Sequence, residues 1–350
     1  MLFGKAKDIL GVDVGSSSVK LVQLRAVKDG YQLVHVAIVP LHAEAIVDNT
    51  LMDSSAVVES VKELVRSRKI KTKEVACSIS GNSVIIRKIS LPVMPVEELE
   101  DQIQWEAEQY IPFDINDVNV DFQILSPDEQ DPSKMNVLLV ASKKDIINDY
   151  QSVFTEAGLK LVVMDVDVFA MQNAYEVNYE IDHKEVMALV NIGASIINLN
   201  VVSEAVSLFT RDVQMGGNLY TEEIQKQFGV SAEEAEQLKL SAAGSDDERL
   251  KDILQRVNDS IAQEVRRSLD FYNSTAVEGK IGKIYLSGGA AKTPQLLEAV
   301  QRRLTLPVEL LNPFLKIVAS DKEFPPQYLE EIGPQVAIAV GLATRRAGDK

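Results

Sequence analysis

The chain has 350 residues, of which 46% are hydrophobic and 25% charged, with 18 glycines and 12 prolines. Those proportions exclude a disordered or collagen-like chain, and at about 100–200 residues per domain they leave room for roughly two or three packed units. Its 36 basic and 52 acidic side chains give a net charge of −16. Such a surface repels nucleic-acid phosphate and anionic lipid, so neither is expected as a direct partner. The basic run Arg66, Arg68, Lys69, Lys71 and Lys73 is short and reads as a solvated helix end. A single cysteine, Cys77, excludes an intrachain disulfide, and three histidines (His35, His42, His183) argue against a histidine metal site or a Ser-His-Asp triad. No run approaches the roughly 18–20 apolar residues that span a bilayer, and the opening Met1–Lys7 lacks the apolar core of a signal peptide. A cytoplasmic chain without direct membrane insertion is expected.

In chain order, the first signal is residues 12–24, two apolar, β-branched runs joined by the tight turn Gly15-Ser16-Ser17-Ser18. Alternation predicts a third strand over Tyr31–Val39. Val57, Val58, Val61, Leu64 and Val65 recur at helical spacing and predict a helix over Ser54–Arg68. Val75–Ser80 reads as a buried strand in which Cys77 is a small hydrophobe.

An insertion over Ser83–Leu159 follows, with a strand (Ser83–Ile89), a helix (Val96–Tyr110) and two strands (Val118–Leu125, Met135–Ala141). The polar loop Ser126–Lys134 would be the hairpin tip, and a helix through Ile146, Tyr150, Val153, Phe154 and Ala157 would close the insertion. On its helix Val96–Tyr110 the core stripe is Val96, Leu99, Ile103 and Tyr110. Trp105 lies about 240° from Leu99 among Asp101, Gln102 and Glu108. It is either covered by the loop Ile111-Pro112-Phe113 or available to a partner.

Residues 190–202 repeat the first hairpin. Asn191, Gly193 and Ser195 match Asp13, Gly15 and Ser17 at a constant offset of 178 residues, about half the chain. Duplication of one α/β unit is the economical reading. A helical insertion over 216–279 starts at Thr221, restarts at the Ser231-x-x-Glu234 capping box, and ends in a long helix with Leu250, Leu254, Val257, Ile261 and Leu269 inward. A strand at Lys283–Leu286 and a helix from Thr293, with Leu296, Leu297, Val300 and Leu304 inward, complete the second half. The expected division is a first-lobe core (1–82, 160–185, 335–350), an inserted subdomain (83–159), a second-lobe core (186–215, 280–334) and a helical subdomain (216–279).

The turn Gly15–Ser18 has the chemistry of an anion cradle: free backbone N–H groups, serine hydroxyls, and Lys20 as a point charge. Asp13 precedes it, placed to hold Mg²⁺ through waters. A plain surface hairpin is the bland alternative. Leu286-Ser287-Gly288-Gly289-Ala290 ends a strand where backbone can approach a ligand. Neither a P-loop nor a Rossmann glycine fingerprint is present.

The two hairpins, Gly216-Gly217-Asn218, Glu236-x-x-Lys239 and Ser287-Gly288-Gly289 occur in an order that resembles the actin-like ATPase superfamily. The resemblance implies a duplicated, ribonuclease H-like α/β fold with two lobes around a nucleotide cleft, binding ATP or ADP with Mg²⁺. It makes Gly15, Ser16, Ser17, Ser18 and Lys20 the first phosphate loop, and Asn191, Gly193, Ala194 and Ser195 the second. Gly217, Glu236, Lys239, Gly288, Gly289 and Lys292 would line the adenosine pocket. Spacing i, i+3 points Glu236 and Lys239 the same way from one helix.

The inserted subdomain is similar to that of FtsA, and the run Trp105–Phe113 with the opening Met1-Leu2-Phe3-Gly4 resembles the PilM family of type IV pilus assembly proteins. This implies a cytoplasmic scaffold, peripheral to the inner membrane, that captures the N-terminal cytoplasmic peptide of PilN between the first-lobe core and the inserted subdomain. Other pilus platform proteins and motor ATPases would be further partners, and twitching motility the process served. The alternatives on this fold are a filament-forming FtsA-like ATPase and a small-molecule kinase.

One departure concerns turnover. The second phosphate loop of the superfamily usually opens with Asp; this chain has Asn191. Binding survives that change, but a carboxylate that orients metal or water is gone, so at most a slow ATPase is expected. The superfamily's catalytic group follows the strand joining the halves, where Asp165 is the nearest candidate, with Asp167 beside it. Asp165 as a helix cap is the alternative reading.

Overall fold

The computed structural model describes residues 8–127, 131–181, 185–275 and 279–349. The first lobe is built on β1 (Leu10–Val14), β2 (Ser18–Val27) and β3 (Gly30–Pro40), followed by a short ribbon, β4 (Ile46–Val47) and β5 (Thr50–Leu51). Helix α1 (Ser54–Ser67) starts where Asp53 accepts a hydrogen bond from the Ala56 amide at 3.0 Å, and buries Val57, Val58, Val61 and Leu64. Strand β6 (Glu74–Ile79) follows, with the free thiol of Cys77 buried. The inserted part comprises β7 (Val84–Pro92), α2 (Val96–Glu108), β8 (Val118–Pro127) and β9 (Lys134–Lys143), and the chain returns through α3 (Lys144–Glu156), β10 (Lys160–Val166) and α4 (Asp167–Asn178).

The second lobe opens with β11 (Val186–Ile192), β12 (Ile197–Ser203) and β13 (Val206–Val213). Helices α5 (Asn218–Phe228), α6 (Ala232–Ser241) and α7 (Glu248–Thr275) come next, then β14 (Ile281–Ser287), α8 (Leu296–Leu304), β15 (Val308–Leu310) and α9 (Pro326–Ala343). The two large sheets have the same order: β3-β2-β1-β6-β10 in one and β13-β12-β11-β14-β15 in the other. In each, the first three strands are antiparallel and the remaining neighbours parallel. The duplication seen in two short motifs therefore extends to the whole sheet. The central strands β1 and β11 are buried along their full length, as strands covered on both faces must be.

Packing moves two of the expected boundaries. Helix α3, counted with the insertion, places Tyr150, Val153 and Phe154 in the same core as Leu10, Val12, Val58 and Cys77, so it belongs to the first lobe. The inserted subdomain closes at β9, with its own core of Leu99, Ile103, Ala107, Val137 and Leu139. Residues 314–332, counted with the second lobe, pack Phe314, Ile317, Phe324 and Ile332 against Val22, Leu24 and Val36 of the first sheet. Leu33 N–H donates to Val318 O at 2.8 Å there.

Smaller differences have local causes. Helix α5 begins at Asn218, three residues before Thr221, because Gly217 and Asn218 donate backbone hydrogen bonds to the second turn. Helix α2 stops at Glu108, which leaves Tyr110 exposed; Val96 is exposed as well, and the buried stripe is Leu99, Ile103 and Ala107. Trp105 is 75% exposed, because Ile111 and Phe113 pack into the subdomain core instead of over it. Both halves of the Ser231–Glu234 capping box are formed. Part of the polar loop Ser126–Lys134, and the opening residues with Leu2 and Phe3, lie outside the described residues.

The lobes are joined by α4 and α9. Met171, Tyr175, Ala337, Ile338 and Leu342 share a core with Ala76 and Val163 of one sheet and Leu189 and Tyr285 of the other. The approach is close enough that a Cβ on Gly341 would run into the Ala170 carbonyl oxygen, and one on Gly11 into that of Ala339. Arg345, just past α9, ties the helix end to β10 through Asp165 at 2.8 Å. Backbone cannot yield as a flexible side chain can. Gly341→Ala is therefore expected to destabilise the protein by about 2–4 kcal/mol in urea unfolding, whereas Gly244→Ala, where nothing lies near the added methyl, stays within about 0.5 kcal/mol.

Candidate functional site

Strands β1 and β2 are joined by a turn in which Gly15 N–H donates to Ser18 O at 3.1 Å; between β11 and β12, Gly193 N–H donates to Ile196 O at 2.9 Å. These are the same turn built twice, and they face each other across a cleft of about 450 Å³ between the lobes. The hydroxyls of Ser16 and Ser195 meet at 2.9 Å. Behind the first turn, Lys20 Nζ lies 3.1 Å from Asp13 Oδ2. Behind the second, Asn191 Nδ2 donates to Asn198 Oδ1 at 3.0 Å. Lys20 and Asn198 are related by the same 178-residue offset as Asp13 and Asn191. An ion pair in one lobe thus stands where the other lobe has a pair of amides.

The glycines around the cleft are where backbone meets backbone. A Cβ on Gly216 would press on the Gly193 and Ala194 carbonyl oxygens at 2.6 Å, and Gly217 and Asn218 N–H donate to those oxygens at 2.9 and 2.8 Å. The start of α5 is stitched to the second turn in this way. Gly288, at φ +90°, backs onto the Ile192 backbone and donates its N–H to Pro334 O at 2.7 Å.

The structure brings nearly all of the sequence-predicted residues to this cleft. Asp13, Gly15, Ser16, Ser17 and Lys20 line it from the first lobe; Asn191, Gly193, Ala194 and Ser195 line it from the second. Gly217, Glu236 and Lys239 contribute from the helical subdomain, and Gly288, Gly289 and Lys292 from the segment after β14. Glu236 and Lys239 pair at 2.6 Å, with Lys239 the more buried at 15% exposure, and Glu236 also accepts from the Thr221 hydroxyl.

Two predicted residues are elsewhere. Ser18 is buried in β2 beneath the turn and does not line the cleft. Asp165 does not reach it either: Arg345 and the Val166 amide hold its carboxylate, each at 2.8 Å. Of the two acids at the joining strand, the one that lines the cleft is Asp167, the first residue of α4. It accepts from Ser78 Oγ at 2.6 Å, and its carboxyl is pushed up to about 7 by desolvation and then by the Asp13 carboxylate, against the opposing hydrogen bonds of Ser78 and Ser80.

Ser78, Ser80, Asn198 and Gln335 also line the cleft and escaped the sequence reading. A signal for Ser80 existed. Ser80-Gly81 lies just past β6 and Ser287-Gly288 at the end of the equivalent β14, and both glycines have positive φ, +75° and +90°.

The family described as type IV pilus assembly protein PilM matches residues 11–347. The chain belongs to that family. Its structure is similar to that of the PilM-PilN type IV pilus biogenesis complex, with a TM-score of 0.88 and 29% identity over 97% of this chain and 98% of that one. More distant likenesses show the shared fold. The ethanolamine utilization protein EutJ from Carboxydothermus hydrogenoformans gives a TM-score of 0.57 at 17% identity, covering 96% of this chain and 89% of that one. MreB5 of Spiroplasma citri, bound to ADP, gives 0.50 at 13% identity, covering 94% and 99%. The lobes of this PilM-family chain have the actin-like ATPase fold.

Asp167 has a consequence for stability. Its carboxyl stands at 3.8 in the unfolded chain and about 7 in the fold, so the folded state keeps a proton that the unfolded chain releases between those values. The stability it contributes is fully present below pH 3.8 and is lost as pH rises through about 7. Asp167→Asn escapes that loss. In urea unfolding without nucleotide or Mg²⁺, the variant should gain stability relative to the parent between pH 5 and 8; a difference that stays flat would mean Asp167 is not desolvated.

Proposed function

We propose that this chain is a nucleotide-dependent scaffold of type IV pilus assembly, binding ATP or ADP with Mg²⁺ between its two turns. One observation carries the reading: the two matching turns face each other with hydroxyls in contact and a lysine–carboxylate pair directly behind one of them. Amide N–H groups and serine hydroxyls suit phosphate oxygens, and Lys20 supplies charge. Among the described residues no cluster of three or more metal-binding side chains exists. That fits Mg²⁺, which keeps most of its waters and takes one or two carboxylates besides phosphate oxygens. Asp13 would hold it through water, with Asp167 nearby, and the ion would offset charge on the phosphates.

Turnover is slow in this reading, far below a typical ~10 s⁻¹. Asn191 cannot act as a base, and the Asp167 carboxylate, which accepts from the Ser78 hydroxyl, is the one acid left beside the joining strand. Lys239, Glu236 and the glycines after β14 would hold the nucleoside.

The partner is the N-terminal cytoplasmic peptide of PilN, lying in the groove between the first-lobe core and the inserted subdomain. The close likeness of this chain to a PilM-PilN complex supports PilN as the partner. Other platform proteins and motor ATPases would join through the same scaffold. The chain would sit at the inner membrane through PilN, since no described helix is long and apolar enough to cross one. Nucleotide would set lobe closure, and could gate the peptide only by binding open and closed states with different affinity.

Calorimetry tests both halves. Asp13→Ala and Lys20→Ala should each weaken Mg-ATP binding by roughly 1.5–3 kcal/mol, the scale of charge-assisted contacts. A PilN N-terminal peptide should bind the parent, with an affinity that Mg-ATP alters; no heat with or without ATP would discard the peptide platform.

A further inference from the structure

The lobes also touch just beyond the residues that line the cleft. Gly81 N–H, in the first lobe, donates to Asp212 Oδ2 of β13 at 2.6 Å. Gly81 opens the 3-10 turn Gly81–Ser83 that leads directly into β7, so it is the root of the inserted subdomain. Its φ of +75° and the Asn49 side chain packed where a Cβ would lie leave the position to glycine.

Asp212 ends a row of polar side chains. Ser287, Asn191, Asn198 and Asp212 are direct cross-strand partners on the neighbouring strands β14, β11, β12 and β13. Ser287 Oγ donates to Asn191 Oδ1 at 3.4 Å, Asn191 Nδ2 to Asn198 Oδ1 at 3.0 Å, and Asn198 Nδ2 to Asp212 Oδ1 at 2.9 Å. The carboxylate sets the sense of the row, because it can only accept. Asn198 must give it the amide N–H, which turns the Asn198 carbonyl to Asn191 and the Asn191 carbonyl to Ser287. Asn191 in turn lines the cleft beside the second turn. In the first lobe the corresponding pair, Asp13 and Lys20, is an ion pair.

We propose that this row is a relay from the second turn to the root of the inserted subdomain, with Asp212 as the positioning residue that fixes its sense and latches Gly81. The proposal rests on the nucleotide reading above and supplies its missing connection to the partner-binding subdomain. A ligand that touches both turns is lost when the lobes part, so it disfavours every opening that also frees Gly81.

The test is amide hydrogen exchange at Gly81 by NMR, with Mg-ATP binding measured in parallel by calorimetry. In the parent, Mg-ATP should slow Gly81 exchange. Asp212→Ala should speed it at least ~3-fold and abolish the effect of Mg-ATP while Mg-ATP still binds, since Asp212 lies outside the cleft lining. Asp212→Asn keeps the shape, but with one oxygen in place of two it cannot keep both the Gly81 bond and the present sense of the row; it should weaken the slowing of Gly81 exchange by Mg-ATP in a folded protein. Unchanged Gly81 exchange in both variants, with nucleotide bound, would overturn the relay. Failure of the parent to bind Mg-ATP would instead overturn the nucleotide reading, and the relay with it.

Discussion

A glycine amide that closes onto the carbonyl three residues ahead is a small interaction, yet this molecule depends on having it twice, face to face. Gly15 and Gly193 each make that bond, and only small residues at the tips allow the turns to meet at Ser16 and Ser195. Every larger feature serves their placement. The central strands β1 and β11 are buried along their length, so each turn projects from the most rigid part of its lobe. Backbone hydrogen bonds from α5 and the close approach of Gly288 fix the second turn from behind.

Facing turns require lobes that pack on one another without merging. Helices α4 and α9 provide this, approaching so closely that Gly341 and Gly11 admit no side chain. Contacts between backbones resist shear at this base. The 314–332 segment strengthens the base further, because a stretch that follows the second sheet packs on the first.

Much of this was legible in the sequence. Hairpins with glycine turns, helical stripes such as Val57–Leu64 and the Ser231–Glu234 capping box are local signals, and local signals survive folding. The duplication was legible in the 178-residue repeat, and the resemblance of the motif order to the actin-like ATPase superfamily implied the fold. What the sequence obscured is long-range. The cores that claim α3 and residues 314–332 are filled by residues far apart in the chain, and periodicity does not name the partner of an apolar face. Asp165 and Asp167 show the same limit at the cleft. Asp165 lies near the end of the joining strand and Asp167 just past it, and only the distant Arg345 and Ser78 decide that one is structural and the other reaches the site.

The two copies have also diverged in an informative way. At matching positions one lobe holds Asp13 with Lys20 and the other Asn191 with Asn198, so at these two positions the formal charge lies in the first lobe. An anion between the turns would meet a cation on one side and neutral dipoles on the other. A second acid at 191 would add a carboxylate beside Asp13 and Asp167, and the Asp13 carboxylate already helps to raise the Asp167 carboxyl. It would also break the row to Asp212, because a carboxylate at 191 has no N–H to give Asn198. Exchanging acid for amide removes a group suited to orienting a metal or water and adds one that can donate across the sheet. In the nucleotide reading proposed above, that exchange favours holding a ligand over consuming it.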